Sequence, residues 1–156
     1  GYSMGGFMAA LTAQLTSRPI AAVPCAAADS PVYTILESPL RKVYDWAALQ
    51  AQLDDRGEGS ARSIMAELMG NLAVSRHGSL EYPEYAVVLG ATRDAFVTPR
   101  GVLELHRHWR GSECRWIDAG HTTGWALHGS EIREAIAAGF ERLIDGRERG
   151  QPGAER

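Results

Sequence analysis

Met4, Phe7, Met8, Leu11 and Leu15 recur at helical spacing, so residues 4–16 are expected to form a helix with one buried face. Ser17, Arg18 and Pro19 end it, because proline lacks a backbone donor and clashes with the preceding turn. Residues 20–23 make a short apolar run before Pro24, the length of a buried strand. Residues 85–90 are apolar without a break, as in a parallel strand covered on both faces. Thr98 and Pro99 read as an N-cap and a first-turn proline, opening a helix that reaches about Trp109. Residues 113–118 are a further strand candidate. Ile132, Ala135, Ile136, Phe140, Leu143 and Ile144 then mark an amphipathic C-terminal helix. From 145 to 156 the chain turns polar and rich in glycine and arginine, and a frayed tail is expected there.

The pattern breaks between the first two strand candidates. Residues 29–80 carry Pro31 and Pro39, a polar cluster over 54–60, and two amphipathic pieces at 43–53 and 62–74. A plain crossover needs less, so a helical cap-like insertion over a site is expected. Helix, strand, insertion, strand, helix, strand, helix is the order of a doubly wound α/β fold, here over residues 1–144.

Composition narrows the function. At 156 residues the chain has the length of about one domain, and 45% hydrophobic with 22% charged residues excludes a disordered or collagen-like chain. A net charge of −3 without a basic run speaks against a nucleic-acid partner. No apolar stretch approaches the ~20 residues of a transmembrane segment, and a soluble, cytoplasmic protein is expected. Cys25 and Cys114 are too few for a disulfide scaffold and read as small buried hydrophobes. His106 and His108 lie two apart on a helix and point to different sides, so they do not chelate one ion. His77 falls in a polar loop, His128 at a helix start, and Asp54 and Asp55 in a solvated turn. With no phosphate loop or dinucleotide fingerprint, neither a metal nor an organic cofactor is expected.

The chemistry is concentrated at the start. Gly1-Tyr2-Ser3-Met4-Gly5 fits Gly-x-Ser-x-Gly, in which a serine sits on a strained strand-to-helix turn. Side chains at positions 1 and 5 are expected to collide with the neighbouring strand and helix, and Gly6 to let the helix pack closer. A serine hydroxyl is a poor nucleophile until a base takes its proton, and that base needs an orienting carboxylate. In this type of fold the order is serine, acid, histidine. Asp94 follows the apolar strand at 85–90, and His121 follows the strand at 113–118, each where side chains reach the catalytic edge. Asp29, after the earlier strand, is the competing acid.

Gly1 to Ala9, Pro24-Cys25, the stretch Arg93 to Val102, and Gly120-His121 running into 135–143 together resemble the α/β-hydrolase domain-containing protein 18 family. The resemblance covers the first 25 residues and about 85–144; the insertion matches poorly. It implies the α/β-hydrolase fold with Ser3 as nucleophile, Asp94 as acid and His121 as base. It further implies a chain that is the C-terminal portion of a longer hydrolase, with N-terminal strands and a second oxyanion donor upstream of Gly1. The resulting expectation is a serine hydrolase acting on a carboxylic ester or related acyl bond, with the Met4 backbone N–H as one oxyanion donor. Tyr2 and Trp46 are the candidate substrate contacts. The partner is a small-molecule acyl ester of lipid-like character, gripped by an apolar face that includes Tyr33, Tyr44, Ile64, Met65, Leu68 and Met69. Acyl transfer by the same triad, and a non-catalytic remnant of a hydrolase, are the alternatives.

Overall fold

The computed structural model describes residues 1–54 and 59–149. Its helices are α1 (Met4–Gln14), α2 (Val32–Leu36), α3 (Trp46–Asp54), α4 (Ala61–Asn71), α5 (Pro99–His108), α6 (His121–Leu127) and α7 (Gly129–Glu148). The strands are β1 (Val87–Ala91) and β2 (Glu113–Ile117), paired in parallel with Val87 opposite Glu113 and Ala91 opposite Ile117. On the other edge of β1 the chain bridges in parallel at Ala22–Ala86 and Cys25–Leu89, and Tyr2 bridges to Cys25 beyond it. The strand expected at 20–23 therefore meets β1 through Ala22 and Cys25, a register set later than the apolar run indicates. Pro24 has no N–H, but its carbonyl accepts from the Leu89 N–H at 3.0 Å, so the ladder continues past it.

Successive side chains of a strand face opposite ways, and β1 uses both directions. Val88 packs with Val102, Leu105 and Trp109 and with Ala10 and Ala13 of α1. Val87, Leu89 and Ala91 pack with Val23 and Ile117 and with Ala135 of α7. Each Val or Leu buried this way contributes about 1.5–3 kcal/mol. The result is α/β: parallel strands between helices on both faces. In the first core the buried Trp109 indole donates to Gln14 Oε1 at 2.7 Å, so the one polar atom of the ring has its partner.

Local sequence explains the helix starts. Thr98 caps α5 by accepting from the Gly101 N–H at 3.3 Å, with Pro99 in the first turn. α7 begins earlier and ends later than the apolar spacing predicts, running to Glu148 through the start of the expected tail; residues 150–156 lie outside the described residues. Glu113 of β2 pairs with Arg115 at 2.6 Å and with Arg142 of α7, and these guanidinium groups hold its carboxyl below the usual range. Among the described residues no helix is long and apolar enough to cross a membrane.

The insertion is helical, with divisions the periodicity does not show. In place of one helix from residue 43, a 3-10 turn (Pro39–Lys42) is capped by Ser38, and α3 starts only at Trp46. Asp45 sets that start: its Oδ1 accepts from the Ala48 N–H at 2.9 Å. Ile64, Met65 and Leu68 line a cavity with Leu49 and Leu53, so this face of α4 closes on α3 and not on the site. Asp54 ends α3 and accepts from Gln50 at 2.8 Å, while Asp55 lies outside the described residues. The insertion's two ends meet at Asp29. Its carboxylate accepts from the Ser75 N–H and hydroxyl, both at 2.8 Å, and its carbonyl from the Val74 N–H at 2.9 Å.

Candidate active site

Ser3 has φ 55° and ψ −122°, a backbone conformation that costs a residue with a side chain on the order of 1–3 kcal/mol. The surroundings hold it there. The Ser3 N–H donates to the Cys25 carbonyl at 2.8 Å, Cys25 N–H to the Gly1 carbonyl at 2.8 Å, and Phe7 N–H to the Ser3 carbonyl at 2.9 Å. The chain thus leaves the strand direction at Tyr2 and enters α1 at Met4, with the Ser3 side chain at the corner. Within this turn glycine is required at two places. A Cβ on Gly1 would overlap the Gly5 carbonyl, and one on Gly6 would stand 2.6 Å from the Cys25 carbonyl oxygen. Position 5, expected to be the second tight spot, has nothing within 4 Å of a built Cβ. The helix leaves the sheet with Gly6 turned inward and Gly5 outward.

Asp94 follows β1 and its side chain is fully buried. A buried carboxylate needs donors, and Asp94 has three. Oδ1 accepts from the backbone N–H groups of Phe96 at 2.8 Å and Val97 at 2.9 Å. Oδ2 lies 2.6 Å from His121 Nδ1, and His121 Nε2 lies 2.8 Å from Ser3 Oγ. With Nδ1–H donating to Asp94, Nε2 is left to accept from the serine hydroxyl. Asp29 is engaged with Ser75 instead. Met4, the first residue of α1, carries one of the N–H groups that have no acceptor within their own helix.

His121 opens α6, an element that periodicity does not predict. Its entry is shaped by Thr123, whose hydroxyl accepts from the Gly120 N–H at 2.9 Å. Phe96 lies against the imidazole with ring centroids 5.3 Å apart, and Tyr2 flanks it at 5.6 Å. The Tyr2 hydroxyl donates to the His121 carbonyl at 2.6 Å. Burial first, and then the charge of Asp94, push this phenol up to about 12, so it stays a donor throughout the range in which proteins work.

Beside Ser3 opens an apolar pocket of about 160 Å³, lined by Met4 and Phe7 of α1, Ala27, Val97, and Ile35, Leu40 and Tyr44 of the insertion. Thr34 is also in its wall, but its hydroxyl donates to the Phe96 carbonyl at 3.0 Å, tying α2 to the loop that carries Asp94. Neither Tyr2 nor Trp46 is part of this lining. Trp46 instead lies against Tyr44 with ring centroids 5.4 Å apart, under the Arg62 guanidinium, its indole N–H donating to the Arg41 carbonyl at 2.7 Å. Phe96, Thr34, Ile35 and Leu40 are site residues that spacing does not reveal, although Phe96 could have been found as the neighbour of an acid whose loop must fold back on it. His106 meets Ser112 at 3.0 Å and His128 meets Glu131 at 2.7 Å. Among the described residues no cluster of three or more His, Cys, Asp and Glu side chains is arranged to hold a metal ion.

Residues 1–67 and 56–142 match the family described as alpha/beta hydrolase domain containing 18. The chain belongs to that family. Membership places it among the α/β hydrolases and fits the layered fold described above. The enol-lactonase from Burkholderia xenovorans LB400 is a solved structure to which the chain is similar, with 16% identity and a TM-score of 0.48. That match covers 88% of this chain and 63% of the enol-lactonase chain, so the present chain spans less than two thirds of that protein's length.

Proposed function

We propose that this α/β hydrolase is serine-dependent and cleaves a carboxylic ester or related acyl bond of a small, lipid-like molecule. The observation that carries this is the continuous line of contacts from Asp94 Oδ2 to His121 Nδ1 at 2.6 Å and from His121 Nε2 to Ser3 Oγ at 2.8 Å. In the reaction Ser3 Oγ attacks the carbonyl carbon while His121 takes its proton. The Met4 N–H donates to the oxygen that becomes negative, in the region where α1 begins. His121 then gives the proton to the departing alkoxide, and water repeats the sequence to release the acid. Asp94 keeps the imidazole proton on Nδ1 and stabilises the imidazolium. The acyl portion enters the pocket between α1 and the insertion.

A fluorophosphonate probe applied to the full-length protein is expected to label Ser3 alone, because only a base-activated serine reacts at a useful rate. Ser3→Ala should abolish labelling. Labelling that persists in this variant, or that never occurs in folded protein, would overturn the mechanism.

The pocket also supports a preference. Its volume of about 160 Å³ is close to the ~150 Å³ of an apolar cavity known to hold benzene, and so suits about six acyl carbons. Each buried methylene is worth about 0.8 kcal/mol, or roughly fourfold in kcat/KM. Across aryl esters kcat/KM should rise from acetyl to about hexanoyl and then level off, with a charged acyl terminus rejected. A flat series would show that the pocket does not hold the acyl group.

A further inference from the structure

Tyr2 is covalently next to Ser3, yet its hydroxyl ends at the opposite member of the site. It donates to the backbone carbonyl of His121 at 2.6 Å, and the phenol oxygen in turn accepts from the Trp125 N–H, so the phenol sits in the first turn of α6. The helix leaves room for it. A Cβ built on Gly124 would stand 2.6 Å from the Tyr2 hydroxyl oxygen, so any side chain there would displace the phenol. The Tyr2 ring also flanks the imidazole, with centroids 5.6 Å apart, and the Phe96 ring lies 5.3 Å from the same imidazole. The bonds close a circuit: Tyr2 hydroxyl to His121 carbonyl, His121 Nε2 to Ser3 Oγ, and Ser3 back to Tyr2 through one peptide unit.

We infer that Tyr2 is a positioning residue, whose phenol, seated in the notch at Gly124, fixes the start of α6 and thereby holds His121 Nε2 within reach of Ser3. The physical reason lies in how little else fixes the base. α6 is seven residues long and contains two threonines and a glycine, a composition of low helix propensity. Asp94 restrains the imidazole at Nδ1, but the carbonyl that anchors the backbone end of the side chain is held by Tyr2. A proton transfer to Nε2 is steeply sensitive to that distance, since misplacement by about 1 Å costs on the order of 10² in rate. The burial of the phenol, which keeps it protonated to about 12, makes the donor constant over the working range. Tyr2 has no place in the lining of the acyl pocket, so the effect should appear in the chemical step and not in binding.

This inference rests on the triad proposed above, and the two are separated by the order of measurement. Wild-type protein is first treated with the fluorophosphonate probe; absence of labelling at Ser3 removes the triad itself. Given labelling, Tyr2→Phe is expected to lower kcat for an aryl butyrate about ten- to hundredfold, to leave KM within about twofold, and to slow phosphonylation of Ser3 by the same factor as kcat. Gly124→Ala, which crowds the hydroxyl from the other side, should reproduce the loss. Because Tyr2→Phe removes the crowded atom, the double variant should be no worse than the worse single one. A Tyr2→Phe enzyme with unchanged kcat overturns the inference while leaving the triad standing. So does a loss confined to KM, or a loss of labelling that only follows the fraction of protein unfolded by thermal melting. Additive losses in the double variant overturn it as well.

Discussion

Ser3→Ala and His121→Ala are each expected to lower turnover of a good aryl ester by a factor on the order of 10⁶, and the double variant by no more than either alone. The reason is that nucleophile and base are one device. His121 Nε2, 2.8 Å from Ser3 Oγ, has no proton to accept once the hydroxyl is gone, and the hydroxyl has nowhere to send its proton once the imidazole is gone. What remains in each variant is the electrostatic help of the backbone donors around Met4 and the placement of the acyl group. The measurement is kcat for the three variants at saturating substrate, with melting midpoints recorded alongside. Multiplicative losses in the double variant would mean that the two residues act separately, and the proposed proton path would be wrong.

Asp94→Asn should lower turnover by about 10⁴ with the fold retained. An asparagine keeps an oxygen for the Phe96 and Val97 N–H groups, which Oδ1 of Asp94 accepts at 2.8 and 2.9 Å, so the loop has no cause to open. It can, however, turn an amide N–H toward His121 Nδ1. That selects the imidazole tautomer with its proton on Nε2, where it blocks acceptance from Ser3. The competing acid gives the contrast. Asp29→Asn weakens the contacts to Ser75 and should cost about 1 kcal/mol of stability with turnover near that of the native protein. If the two effects on turnover were exchanged, the acid would be Asp29 and the geometry at His121 would have to change to reach it.

Much of this site is legible in the chain because its parts obey short-range rules. The Gly-x-Ser-x-Gly turn, the apolar run that becomes β1 and the Thr98-Pro99 helix start each depend on residues close in sequence. What is not legible depends on partners far along the chain. α6 has no amphipathic repeat to reveal it; it is shaped by Thr123 at Gly120 and by the Tyr2 hydroxyl arriving from 119 residues earlier in the chain. The pocket wall is likewise hidden. Ile64, Met65 and Leu68 look like a substrate face, but α3 lies against them, while Ile35 and Leu40, in segments too short for any periodicity, reach the site. Gly5 and Gly6 exchange importance for a similar reason, since only the crossing of α1 over the Cys25 carbonyl decides which of the two is crowded.

Asp29 holds the way into the insertion and the way out of it, through Val74 and Ser75. A segment closed on itself at the base can lengthen or shorten without pulling on the layers beneath, and the entropy of a loop grows only by about 0.6 kcal/mol for each doubling of its length. Three lining residues of the pocket beside Ser3, Ile35, Leu40 and Tyr44, belong to this closed segment, whereas Ser3, Asp94 and His121 all lie outside it. Under the proposed function, catalyst and selector are separate inheritable parts, and grafting a different segment between Asp29 and Ser75 is expected to change acyl preference while leaving the proposed triad unaltered.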